Sequence, residues 1–106
     1  MSIKIKPNAG VSMVGIQPQT VLGMVIVNGV FERHGLDMVI TDIVPVYENF
    51  HKPHTLHWKG FAFDVRHHDV AEEMREAFLE ECQEALGREW DCVQSLNNFH
   101  YEWDPE

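Results

Sequence analysis

Residues 57–66 read His57-Trp58-Lys59-Gly60-Phe61-Ala62-Phe63-Asp64-Val65-Arg66, and the second half of this stretch decides the fold. From Phe61 onward, large apolar side chains alternate with small or polar ones. Successive side chains of an extended chain point to opposite faces, so Phe61, Phe63 and Val65 share one face while Ala62, Asp64 and Arg66 share the other. The pattern predicts a strand with one face in a core and the other carrying charge. It returns near the C-terminus, where Phe99, Tyr101 and Trp103 alternate with His100, Glu102 and Asp104. If the two strands are neighbours, Asp64, Arg66, His100 and Glu102 converge on one polar surface, and His57 enters it from the loop just before the first strand.

Working outward, residues 38–44 (Met-Val-Ile-Thr-Asp-Ile-Val) are rich in β-branched side chains and predict another strand. Pro45 to Trp58 reads as a loop from its Pro, Asn and His content. Asp69 with Glu72 three residues on forms a capping-box pattern. Val70, Met74, Ala77, Phe78, Glu81, Cys82 and Ala85 then follow helical spacing, and Gly87 is placed to end the helix. Residues 89–94 and 98–104 read as a hairpin turning around Ser95–Asn97. On the N-terminal side, Pro18 suits the first turn of a helix. Val21, Leu22, Val25, Val30 and Phe31 form its apolar face and Gly35 closes it, with Gly23 and Gly29 unfavourable in its interior. Residues 1–17, with Pro7, Gly10 and Gly15, read as irregular. The expected architecture is an α+β single small domain spanning residues 1–106, with an antiparallel sheet and two main helices packed on one face.

Composition narrows the function classes. The formal charge is −9 with only eight Lys and Arg, scattered along the chain, which argues against nucleic acid as a partner. Much of the acidity lies in residues 69–84 and reads as a solvated helix face. The longest apolar-leaning stretch, Val21 to Val27, is far short of the ~20 residues that span a membrane. The start, Met1-Ser-Ile-Lys-Ile-Lys6, is not followed by an apolar run, so no secretory signal is read and synthesis in a cytoplasm is expected. Cys82 and Cys92 lack the spacing of a Cys-based zinc or redox site. Trp58, Trp90 and Trp103 read as core side chains. The seven histidines are uneven, with His51, His54, His57, His67 and His68 close together in the chain.

Two imidazoles and one carboxylate are a common donor set for an open zinc site that keeps one position for water. His57, Asp64 and His100 are the candidate set, and a His/His/Asp site suits Zn2+ better than magnesium or calcium. Such a metal lowers the pKa of water and polarises a carbonyl, as peptide hydrolysis requires.

His57-Trp-Lys-Gly-Phe-Ala-Phe-Asp64 resembles the HxxGxAxD signature of the zinc D-alanyl-D-alanine carboxypeptidase family, which includes D-alanyl-D-alanine dipeptidases and phage L-alanyl-D-glutamate endolysins. Val65-Arg66 is also typical of its phage members. Leu86-Gly87-x-x-Trp90-Asp91-Cys92-Val93, followed by His100-Tyr-Glu102-Trp-Asp104-Pro105, is similar to the family's ending, LGxxFDV…HVExDP. His51 precedes His57 by six residues, as in many small phage versions. The resemblance spans residues 16–105. It implies a hedgehog/D-Ala-D-Ala-peptidase-like fold, His57, Asp64 and His100 as zinc ligands, and peptidoglycan stem peptide as substrate. No membrane is implied as a partner, and the protein would sit in a phage virion, with other virion proteins, or be released to the cell wall. Gly60 matches the turn into the strand, where a side chain would crowd. Arg66 and Glu102 would support the ligands or meet a substrate carboxylate. His51 either stabilises an oxyanion in the cleft or is a solvated loop residue. His54, His67 and His68 match no family position and read as surface residues.

One position departs from the pattern. Where the family places a carboxylate as general base, three residues before the last histidine, this chain has Asn97, and an amide cannot take up a proton at neutral pH. The Ser-Gly-Tyr-Arg-type segment after the first strand is also missing, and Thr41-Asp-Ile-Val stands there instead. Either another carboxylate (Glu102, Asp42 or Glu48) serves as base, or hydrolysis is slow, or the domain keeps its zinc for binding or assembly. The two expectations are therefore a zinc peptidase of cell-wall stem peptides and a catalytically impaired zinc-bearing structural or virion-associated protein.

Overall fold

A computed structural model describes residues 3–6, 18–43 and 62–104. In chain order these form β1 (Ile3–Ile5), α1 (Pro18–Arg33), β2 (Met38–Asp42), β3 (Ala62–Arg66), a single 3-10 turn (Glu72–Met74), α2 (Arg75–Leu86), β4 (Trp90–Gln94) and β5 (Asn98–Trp103). The five strands make one sheet in the order β1-β2-β3-β5-β4. The two helices cover one face of it, giving a small α+β domain.

The sheet is mixed, not antiparallel throughout. β1 runs parallel to β2, with Ile3 opposite Met38 and Ile5 opposite Ile40. Parallel neighbours need a long crossover, and α1 lies within the connection that supplies it. Three residues, Ile-Lys-Ile, carry too little pattern to announce a strand, which is why residues 1–17 read as irregular throughout. The remaining pairs are antiparallel, and β2 and β3 lose regular register between Ile40 and Asp42.

The alternation in β3 and β5 folds as the sequence predicts. Phe63, Val65, Phe99 and Tyr101 are fully buried beneath the helices with Met38, Ile40, Val27, Val30 and Phe31. Phe63 stacks on Tyr101 at 5.1 Å, Phe78 of α2 stacks on Phe99 at 5.6 Å, and Phe31 of α1 meets Phe78 edge-on at 4.7 Å. Each such side chain contributes about 1.5–3 kcal/mol by leaving water. Trp90 lies in this core and Trp103 packs against it, as expected of both; Trp58 and Phe61 lie outside the described residues.

Both helices differ in detail from expectation. α1 closes at Gly35, whose φ of 71° permits paired bonds from Gly35 N–H to Glu32 O and from Leu36 N–H to Phe31 O. Its inner stripe, however, is Thr20, Gly23, Met24, Val27, Asn28, Val30 and Phe31. Val21, Leu22 and Val25, expected inside, are 42%, 61% and 40% exposed. Gly23 turns the helix this way, because its bare backbone lies against the Trp90 indole where a Cβ would stand 2.4 Å from Cη2.

α2 begins at Arg75, five residues later than Asp69 as N-cap implies. The Asp69 carboxylate is taken by Arg66, with Nε to Oδ2 at 2.9 Å and Nη2 to Oδ1 at 3.0 Å, so it cannot cap. Arg75 Nε instead binds the carbonyls of His67 and Val70, fixing the chain as it enters the helix. The buried stripe of α2 narrows to Phe78 and Cys82, while Met74, Ala77 and Ala85 are exposed. Gly87, at φ 95°, ends the helix as predicted. Gln83 then ties α2 to β4, donating to the Trp90 carbonyl and accepting from Cys92 N–H. Among the described residues no helix is long and apolar enough to cross a membrane.

Candidate functional site

The face of the sheet away from the helices carries the polar half of the alternation. β3 and β5 pair so that Asp64 lies directly opposite His100, Ala62 opposite Glu102 and Arg66 opposite Asn98. The register therefore juxtaposes two of the three expected ligands. His100 Nδ1 is 2.7 Å from Asp64 Oδ1, and His100 Nε2 is 2.9 Å from Glu102 Oε1. All three side chains are largely sheltered. With a carboxylate oxygen at each ring nitrogen, the imidazole keeps both protons and donates from both sides. Its pKa rises to about 9, chiefly through the bond to Asp64; burial opposes the rise and Glu102 adds to it.

Asp42 is the register partner of Asp64 across the irregular β2–β3 pair. Next to it, Thr41 donates its hydroxyl to Asn98 Oδ1 at 3.0 Å. Together Lys6, Thr41, Asp42, Asp64, Arg66, His68, Asn97 and Asn98 line an open cleft of about 550 Å³. Asn97, at the position of the expected base, thus borders the same cleft as Asp64. Lys6 and Asn98 were not singled out from the sequence. Lys6 depends on the unread strand β1, and Asn98 on the register of β5.

His67, expected at the surface, is 4% exposed. Its ring Nε2 bonds to the Ser95 carbonyl at 3.0 Å and lies against Phe99, and its backbone N–H donates to the Asn97 carbonyl. One residue thereby pins the β4–β5 turn that carries Asn97 to the end of β3. An alternation reading that stops at Arg66 cannot see this. His68 is exposed at the cleft rim, in line with its surface reading. His51, His54, His57, Glu48 and Gly60 lie outside the described residues.

Among the described residues no three His, Cys, Asp or Glu side chains are disposed to hold a metal ion. Asp64 and His100 nevertheless have the donor chemistry of a zinc pair. A cation held by these two side chains would take the place of the proton they share. Glu102 behind Nε2 matches the carboxylate that commonly orients a metal-bound histidine. Asp64 and His100 thus offer two donors of the expected set, and the third, His57, lies outside the described residues. Comparison of the chain with family models, with curated proteins and with solved structures finds no match.

Proposed function

We propose that this domain is a zinc metallopeptidase-like protein of the D-alanyl-D-alanine carboxypeptidase type, acting on peptidoglycan stem peptides, with His57, Asp64 and His100 as the metal ligands. The observation that carries the reading is the Asp64–His100–Glu102 line, in which a histidine faces one carboxylate across strands and is backed by another. The hedgehog/D-Ala-D-Ala-peptidase-like fold belongs to the same proposal, supported by two helices on one face of a sheet and a polar site on the other.

Zinc held there would polarise a peptide carbonyl and make water a nucleophile near neutral pH. The chain's own groups have separate parts. Glu102 holds the His100 ring with Nδ1 toward Asp64, which makes it a positioning residue; its engagement with Nε2 argues against a role as base. Asp42, the register partner of Asp64, borders the cleft and is the carboxylate assigned here as proton acceptor in place of Asn97. Arg66 is clamped by Asp69 and borders the cleft as half of an ion pair.

A second reading rests on Asn97. It borders the cleft where the family has its base and cannot take up a proton, which favours a zinc-bearing binding or virion-assembly protein with impaired hydrolysis. One experiment separates the two. Zinc content is measured for the wild type, His57→Ala, Asp64→Asn and His100→Ala, alongside release of stem-peptide fragments from purified peptidoglycan. One zinc per chain, lost in each variant, with chelator-sensitive release, supports the peptidase. Zinc without release, and release gained in Asn97→Asp, supports the impaired form. Absence of zinc from the wild type defeats both.

A further inference from the structure

The chain is poor in cations, yet Lys6 and Arg66 border one cleft, with His68 beside them. Most described cations are committed elsewhere. Lys4 pairs with Asp37 at 2.7 Å, Arg33 with Glu81, Arg66 with Asp69, and Arg75 with two backbone carbonyls. Among the described residues, Lys6 and Arg88 are the lysine and arginine whose side chains have no hydrogen bond or ion pair, and only Lys6 is at the cleft. Its backbone N–H donates to the Ile40 carbonyl at 2.9 Å, which holds the residue beside β2 whatever its side chain does.

We infer that Lys6 is a specificity residue that anchors a free carboxylate of the ligand in the cleft bordered by Asp64 and Asn98. The inference rests on the reading of this cleft as a peptide site and adds the charge of the ligand that it selects. Asp42 and Asp64 on the walls disfavour a multiply charged anion such as phosphate, so a single carboxylate next to a peptide group is the better match. Asn97, Asn98 and Thr41 supply the amide and hydroxyl groups a peptide needs. The Asn98 amide is oriented by the Thr41 hydroxyl on its Oδ1, which leaves its N–H2 as the donor. An uncommitted ammonium can take up a carboxylate without first breaking an internal ion pair, whereas Arg66 would have to leave Asp69.

The test uses the full chain and two probes, L-alanyl-γ-D-glutamyl-L-lysine and the same peptide with its carboxylates amidated. Binding is followed by amide chemical shifts, with zinc added and after chelation, and zinc content is measured in parallel. The acidic peptide is expected to bind at least five-fold more tightly than the amidated one, with shifts at Thr41 and Asn98. Lys6→Gln should reduce that preference to less than two-fold, Lys6→Arg should keep it, and both should retain the wild-type zinc content. An undiminished preference in Lys6→Gln, or failure of both peptides to bind, overturns the inference. A Lys6-dependent preference in a protein that takes up no zinc sinks the peptidase reading and leaves the Lys6 assignment standing. Zinc uptake without Lys6 dependence does the reverse.

Discussion

An imidazole between two carboxylates has two favourable states. It can carry two protons, one for each neighbour, or it can give up one and accept a cation in its place. For His100 these states differ in their response to pH. In chelator-treated protein the folded ring holds its proton up to about pH 9, against an ordinary value near 6.5. A raised folded pKa means that the native state binds protons more tightly than the unfolded chain. The stabilisation is therefore complete below about 6.5 and is lost as pH rises through about 9. The expected outcome is a His100 ring resonance that titrates near 9 in metal-free protein, with a melting temperature that falls between pH 7 and pH 10. Asp64→Asn should bring the titration back toward the ordinary value, because Asp64 is the largest cause of the shift. A wild-type ring titrating near 6.5 would show that the two contacts are not made in solution. Glu102→Gln should have the smaller effect of the two.

At the level of elements, a pattern is legible where it belongs to one segment alone and is lost where a side-chain contact overrides it or the segment is too short. β3 and β5 were legible because the alternation of Phe63 and Val65 with Asp64, and of Phe99 and Tyr101 with His100, is a property of each strand alone. Their register, which puts Asp64 against His100, follows once both apolar faces must share one core. The start of α2 was not legible, since Asp69 is a good cap until Arg66 occupies it. Strand β1 was too short to read, and with it went Lys6 and the parallel pair. The buried face of α1 was misassigned because Gly23 counts against a helix by propensity while its missing side chain is what lets the helix approach Trp90. That contact gives opposite outcomes for the two interior glycines. Gly23→Ala drives a methyl into the buried indole and should destabilise by about 1–3 kcal/mol, despite the better helix propensity of alanine. Gly29→Ala meets nothing within 4 Å and should stabilise by roughly 0.5–1 kcal/mol. Urea unfolding of both variants checks the pair, and two variants moving in the same direction would remove Gly23 from its place against Trp90.

For the whole molecule, the site and the fold are coupled by charge. Asp42, Asp64 and Glu102 lie along adjacent strands on one face of a protein whose formal charge is −9. Gathering carboxylates there opposes folding, and the His100 proton offsets part of that opposition. The divalent cation of the proposed site would offset more, and through Asp64 and His100 it would join β3 to β5, which are neighbours in the sheet. Binding to the native state alone stabilises by RT ln(1 + [L]/Kd), which is about 2.7 kcal/mol when free metal stands at a hundred times Kd. For a domain of this size each kcal/mol moves the melting temperature by roughly 4–8 °C. Zinc-loaded protein is therefore expected to melt on the order of 10 °C or more above chelated protein at neutral pH. The difference should vanish in Asp64→Asn and His100→Ala and should survive in Asn97→Asp, which alters the cleft without removing a ligand. Calorimetry with and without chelator measures this independently of any hydrolytic assay. An equal melting temperature in both states would mean that the acidic face is held by protons alone.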